Sequence, residues 1–442
     1  MTTPLTAARP PGPSERSTPR DGFVDILRVF AISLVVLQHW LMPVIAYQDG
    51  HLSTGNALAT EHGWTITWIS QVMPLIFFTG GAATAISLRR RHARGVGRDT
   101  DWVAGRVRRL AVPVLALAAV WLPVPQVLLT LGVPAEPVIT GARLVGALLW
   151  FLVIYVLLTV ISPVMVRLAG RWRGREVAAL ALGAVLVDML RFGTDITALG
   201  YLNVILVWAA VYQVGVHYTA GRLARVSGRW ALAMAVAGFA GVALAVAWGP
   251  YPASMIGMPG EAISAMNPPT AVLLALAAGQ LGLVLWARAP IMRWASQPAV
   301  SRALDRVCGA SMTIYLWHTP ALVIVAGAAV LGLGQGTPQP GSLPWFGQLP
   351  MWLAALTVAL TLLVRLAGRV ERTRLPAAPI APAQVAGASL LVSLGLLGLT
   401  VYGFRPDSAW PVVATMAVVV GVILLGSRVT WPSQAETGRL SA

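Results

Sequence analysis

Residues 21–40 read DGFVDILRVFAISLVVLQHW. Beyond the opening Asp-Gly, apolar side chains fill nearly every position, and only Asp25, Arg28, Ser33, Gln38 and His39 interrupt them. A run of roughly 20 such residues is what a helix needs to cross the hydrocarbon core of a bilayer. Ionisable groups inside such a segment are costly, so Arg28 and His39 point to function. Asp25 and Arg28 are three apart and can pair on one face. Arg28 and His39 are eleven apart. At about 100° per residue they return to within about 20° of one face, with a rise of about 16 Å between them. Arg28 is expected near the cytoplasmic end and His39 deep in the membrane. Taken singly, a snorkelling Arg and an interhelical hydrogen-bonding His would explain each residue. Their shared face favours a joint role.

The rest of the chain agrees with a membrane solvent. Of 442 residues, 57% are hydrophobic and 11% charged, and the mean hydropathy is +0.73. A soluble protein carries about 25% charged residues, so this chain has too few to cover a soluble surface of its size. Apolar stretches long enough to span occur at 23–46, 66–88, 110–131, 144–167, 176–192, 198–219, 230–248, 270–288, 308–332, 351–368, 386–404 and 410–427. About twelve transmembrane helices are expected. Residues 1–22, rich in Pro, Ser, Thr and Arg, are expected to form a disordered tail, with a second tail at 429–442.

Every basic residue among the 32 is Arg, and the net charge is +16. Nucleic-acid binding is not needed to explain that excess, because cations concentrate in cytoplasmic loops. The loop at 89–109 holds eight arginines and 167–175 holds four, and the segments 222–229, 288–306 and 365–374 are also basic. The opposite loops hold only Arg143, Arg191 and Arg405. The alternation fits a multi-pass protein of the cell membrane, a bacterial plasma membrane by expectation, with both termini cytoplasmic. The single cysteine, Cys308, allows no intrachain disulfide and offers no metal cluster, so no metal site is expected.

Two further clusters stand out. In the ninth stretch Ser311, Tyr315 and His318 follow i, i+4, i+7 spacing and share a face. His318 is expected at a depth like that of His39, which puts two His on different helices around one polar centre. In the second stretch Pro74 to Gly81 reads PLIFFTGG, and its paired glycines suit tight helix packing.

These residues also carry a resemblance. An Arg followed after ten residues by His, an Arg-x-x-Arg before the third helix (Arg106 and Arg109, then Leu-Ala-Val-Pro113), and Ser311-Met-Thr-Ile-Tyr-Leu-Trp-His318-Thr-Pro320 are similar to the motifs of acyltransferase family 3. Those are membrane O-acyltransferases of carbohydrates and natural products. Pro74 to Gly81 and Trp150-Phe151-Leu152 fit further family elements. Thr79 stands where the family usually has Ser, Gly81 where it has an aromatic, and Met312 where it has Tyr.

The resemblance implies an all-α polytopic transmembrane bundle. A ten-helix acyltransferase core would occupy 23–370 and about two additional helices 371–428. It implies a cytoplasmic acyl-CoA donor, acetyl-CoA by preference, with no permanently bound cofactor. The acceptor would be a hydroxyl of a carbohydrate, glycolipid or glycosylated natural product. Arg28, Arg106 and Arg109 are candidates to hold the donor phosphates, which guanidinium groups grip bidentately. The pantetheine arm, comparable to five extended residues and so about 16 Å long, matches the Arg28–His39 rise. His39 is the candidate general base, with an acyl-His intermediate as the variant. His318 is the second catalytic candidate, and Ser311, Tyr315 and Asp25 are candidates to orient substrate. A transporter or flippase of a polar solute or glycolipid is the competing class, since such proteins also carry intramembrane polar residues.

Overall fold

The computed structural model describes residues 21–60, 62–95, 97–258, 264–371 and 380–427. The tails expected at 1–22 and 429–442 fall outside these residues, except for Asp21 and Gly22, as does the basic segment from 372 to 379.

The chain is a helical bundle. Its elements are α1 (Gly22–Leu41), a hairpin of β1 (Pro43–Gln48) and β2 (His51–Asn56), α2 (Trp64–Ser70), α3 (Met73–Ala93), α4 (Asp99–Trp121), α5 (Pro123–Thr130) and α6 (Ala135–Ala147). Then come α7 (Trp150–Trp172), α8 (Arg175–Thr194), α9 (Asn203–Tyr218), α10 (Arg229–Trp248), α11 (Val272–Trp286) and α12 (Arg288–Ala295). The chain continues with α13 (Pro298–Gly327), prolonged by a π-helical turn to Gly332, then α14 (Leu343–Glu371), α15 (Pro382–Tyr402) and α16 (Trp410–Leu424). Among the described residues ten spans are long and apolar enough to cross a membrane, or eleven if α11 and α12, bent by 60°, form one. The protein is therefore a multi-pass membrane protein. Each of the twelve expected stretches has a counterpart, the last being the 15-residue α16.

Several boundaries differ from expectation. The first span ends at Leu41 rather than 46, because Pro43–Gln48 pairs with His51–Asn56 as an antiparallel hairpin. Its turn is Asp49-Gly50, both at positive φ (52° and 83°), the backbone a two-residue hairpin demands. The third span begins at Asp99 instead of 110. Its first turns carry Asp99, Asp101, Arg106, Arg108 and Arg109, and these charges mask a buried stripe of Trp102, Val103, Ala104 and Val107.

Two large hydrophobic clusters dominate the core among the described residues. One joins α1, α3, α9 and α11 around Phe77, Phe78, Trp208 and Tyr212. The other joins α4, α6 and α7 to α15 and α16 around Leu117, Leu152, Val392, Leu396 and Phe404. In lipid there is little hydrophobic gain from helix association, so close backbone approach and polar bonds carry it. At the α3–α9 crossing a Cβ on Gly81 would fall 1.9 Å from the Tyr212 carbonyl oxygen, and one on Gly215 would fall 2.0 Å from that of Phe78. The packing role expected for Gly81 is thus what the structure shows.

Polar bonds lock the remaining helices. Glu176 on α8, 5% exposed, accepts from Gln213 (3.1 Å) and contacts His217 Nε2 (2.5 Å) on α9. Asp188 accepts from Asn203 (2.7 Å), Tyr251 (3.1 Å) and the Ala271 N–H (2.6 Å). Burial, reinforced by that carboxylate, pushes the Tyr251 phenol pKa up, so the hydroxyl stays a donor. The hairpin is tied to Thr337 (Thr337 N to Ile45 O, 2.8 Å) and to Glu136 (Leu52 N to Oε2, 3.1 Å). The hairpin, the α5–α6 side and the segment after α13 thus lie on one side of the bundle, as the loop alternation expects.

Candidate active site

The site grows from the packing of α1 on α13. Trp40 and Val36 of α1 are buried with Leu322 of α13 and Leu356 of α14. Trp40 Nε1 donates to the His318 carbonyl (3.1 Å), and Trp352 Nε1 donates to the Trp40 carbonyl (2.8 Å). Neither tryptophan stands out in the sequence, where an indole beside His39 reads as core. Together they set the rotation of α1 against α13 so that the His39 and His318 rings meet.

Nδ1 of His39 lies 3.0 Å from Nε2 of His318, with ring centroids 5.2 Å apart and planes 23° from parallel. His318 Nδ1 lies 2.6 Å from the Tyr315 carbonyl oxygen. A carbonyl only accepts, so His318 Nδ1 carries the proton and Nε2 of the neutral ring is a lone pair. His39 must then donate from Nδ1 across the 3.0 Å contact, which leaves its own Nε2 as the free lone pair. One backbone carbonyl therefore sets both tautomers. The two residues differ in exposure: His318 is 0% exposed, while His39 is half-buried. His39 lies in the last turn of α1, nearer the helix end than expected, because the hairpin begins so soon after it.

The other candidates fall in two places. Tyr315 joins the histidines through its carbonyl, while its hydroxyl donates to the Leu148 carbonyl at the α6–α7 joint. The Tyr315 ring also packs on Phe151, with centroids 5.3 Å apart. Ser311 Oγ donates to the Val307 carbonyl on its own helix (3.0 Å), so both hydroxyl protons are engaged by backbone. Asp25 and Arg28 form a loose ion pair (3.9 Å) at the opposite end of α1. They line a cavity of about 430 Å3 together with Arg90, Arg91 and Arg94 at the end of α3 and Trp102 of α4. Arg106 and Arg109 do not line it. The Arg106 guanidinium lies 5.9 Å from the Trp102 ring centroid, and Arg109 is exposed. The cavity reaches along α1 only as far as Arg28, so eleven residues, about 16 Å of rise, separate it from His39.

A family model describing an acyltransferase domain, that of acyltransferase family 3, matches residues 21–370. The chain belongs to this family. No curated protein and no solved structure gives a significant match. The matched span of the acyltransferase holds α1 to α14 and both histidines. α15 and α16 lie beyond it yet share a core with α4, α6 and α7, and the Phe404 N–H donates to the Ala142 carbonyl of α6 (2.9 Å).

Proposed function

We propose that this membrane acyltransferase moves an acyl group, acetyl in the simplest case, from cytoplasmic acyl-CoA to a hydroxyl of a carbohydrate, glycolipid or glycosylated natural product, with His39 as general base. The observation that carries this is the hydrogen-bonded order Tyr315 C=O, His318, His39. It leaves a lone pair on His39, the residue of the pair that is partly exposed. A base must present a lone pair to the proton it takes; the Nε2 of His318 is taken up by His39, which favours His39 Nε2 for that role.

In the step, the acceptor hydroxyl gives its proton to His39 Nε2 as its oxygen attacks the thioester carbonyl. Collapse of the tetrahedral adduct forms the ester, and the proton on His39 passes to the leaving thiolate, giving free CoA. While His39 is an imidazolium, its Nδ1–H stays bonded to the neutral His318 Nε2, so His318 acts as a positioning residue. Arg28 serves the donor's phosphate end, at the opposite end of the same helix. The plasma membrane, with both chain ends on the cytoplasmic side, is the location this chemistry calls for, since acyl-CoA is cytoplasmic.

The test is transfer by purified protein in detergent, with acetyl-CoA and hydroxyl-bearing acceptors. His39→Ala should abolish ester formation while leaving membrane insertion and folding intact. Arg28→Ala should chiefly raise the acyl-CoA concentration needed for half-maximal rate. Ester formation at the wild-type rate in His39→Ala would refute the assignment.

A further inference from the structure

Arg90, Arg91 and Arg94 belong to the basic loop that reports topology, and topology alone would scatter such charges over a loop surface. Here they converge with Arg28 on one cavity. Its volume of about 430 Å3 is within the usual size of a small-molecule site. The charged groups lining it are four guanidiniums and the two carboxylates of Asp21 and Asp25, an excess of two positive charges.

The chain positions these arginines actively. Arg90 and Arg91 occupy the last turn of α3, where the helix C-terminus favours cations. The Arg91 guanidinium donates to the Arg98 carbonyl (3.4 Å) and lies against Gly97, where an added Cβ would fall 2.0 Å from it. Gly97 itself has φ +62°. Arg91 Nε is buried without a hydrogen-bond partner among the described residues, a cost that a bound acceptor would relieve. Trp102, held by its Nε1 to Ser87 Oγ (2.9 Å), walls this cavity off from Arg106.

We infer that Arg91 and Arg94, with Arg90 and Arg28 beside them, form a polyanion site that takes the pyrophosphate and phosphate groups of a nucleotide-bearing ligand. It deepens the function proposed above and rests on it for the ligand, CoA. The phosphate grip thereby falls on the end of α3 instead of on Arg106 and Arg109. Multiple phosphates match both the excess of positive charge and the forked donors of arginine. A phospholipid headgroup shares this chemistry, so the experiment must separate the two sources.

The measurement is the Kd of coenzyme A for full-length protein in phosphatidylcholine nanodiscs, with inorganic pyrophosphate as competitor and phosphatidylglycerol discs as the lipid arm. Arg91→Gln/Arg94→Gln should weaken coenzyme A binding at least tenfold, and Arg91→Lys/Arg94→Lys should restore most of it. Pyrophosphate should compete, and phosphatidylglycerol should change the Kd less than twofold. If the double Gln variant does not fold, Arg94→Gln alone, on an exposed side chain, should weaken binding at least threefold. Unchanged binding in the folded Gln variants would overturn the site but leave the donor proposal standing. The rival assignment to Arg106 and Arg109 predicts the reverse order, with Arg106→Gln/Arg109→Gln the damaging change, and that result would also overturn the site. Pyrophosphate binding that depends on Arg91 and Arg94, with no coenzyme A binding by wild type, would sink the donor proposal and the nucleotide together. Strong competition by phosphatidylglycerol would give the site to lipid and overturn the nucleotide.

Discussion

At the scale of single residues, the proposed mechanism turns on two imidazoles and one carbonyl. Because Tyr315's carbonyl holds the His318 Nδ1 proton, a change at His318 acts through His39. His318→Ala leaves the His39 Nδ1–H without its acceptor and the ring free to turn. A loss of about 10- to 100-fold in the transfer rate is expected, the usual scale for a residue that orients another. His318→Gln places an amide oxygen near the former Nε2 and should recover part of that loss, which a purely structural role would not predict. Steady-state rates of the two variants, with KM and kcat separated, check this. If Gln and Ala are equally damaging at equal fold content, His318 does not orient His39. Much of this site was legible in the sequence, since eleven-residue spacing and an i, i+4, i+7 cluster are local geometry. What spacing could not convey is partner choice. The hydroxyls of Ser311 and Tyr315 look available in a sequence, but they donate to the carbonyls of Val307 and Leu148.

At the scale of elements, close packing of α3 on α9 makes a sharp prediction. Gly81→Ala must push a Cβ into the Tyr212 carbonyl and should cost about 1–3 kcal/mol, as over-packing generally does. Gly170→Ala in α7, where nothing lies within 4 Å of the added carbon, should be neutral or stabilising by up to about 1 kcal/mol. Unfolding of the two variants in the same detergent measures the difference, and equal stability would contradict the crossing. The spans themselves were readable from hydropathy because lipid forces the backbone into helices. The hairpin after α1 is hidden from a hydropathy reading although Asp49-Gly50 is a hairpin signal. The apolar run carried on through Pro43, Val44, Ile45 and Ala46, and hydropathy cannot separate a helix end from an apolar strand. The early start of α4 was hidden for the opposite reason, since its first turns carry charges at the membrane edge.

At the scale of the whole molecule, the matched family region and the two helices beyond it are packed as one body through a shared core. Removing 380–442 would take Val385, Val392, Leu396, Phe404 and Val418 out of the core shared with α4, α6 and α7, and would leave the Ala142 carbonyl without the Phe404 N–H. The truncated chain should lose about 5 °C or more in melting temperature, whereas an unchanged value would make α15 and α16 dispensable. The proposed orientation is checked by a Thr54→Cys probe in the exposed hairpin, in a Cys308→Ser background. An impermeant maleimide added to intact cells should label it, and labelling only after lysis would reverse the topology. Catalysis by His39 is tested most directly by the release of free thiol from acetyl-CoA by purified wild type and His39→Ala, with and without hydroxyl-bearing acceptors. Wild type should release thiol in an acceptor-dependent way, and the equally well-folded variant should be slower by at least about 100-fold. Acceptor-dependent release by His39→Ala at the wild-type rate would contradict it.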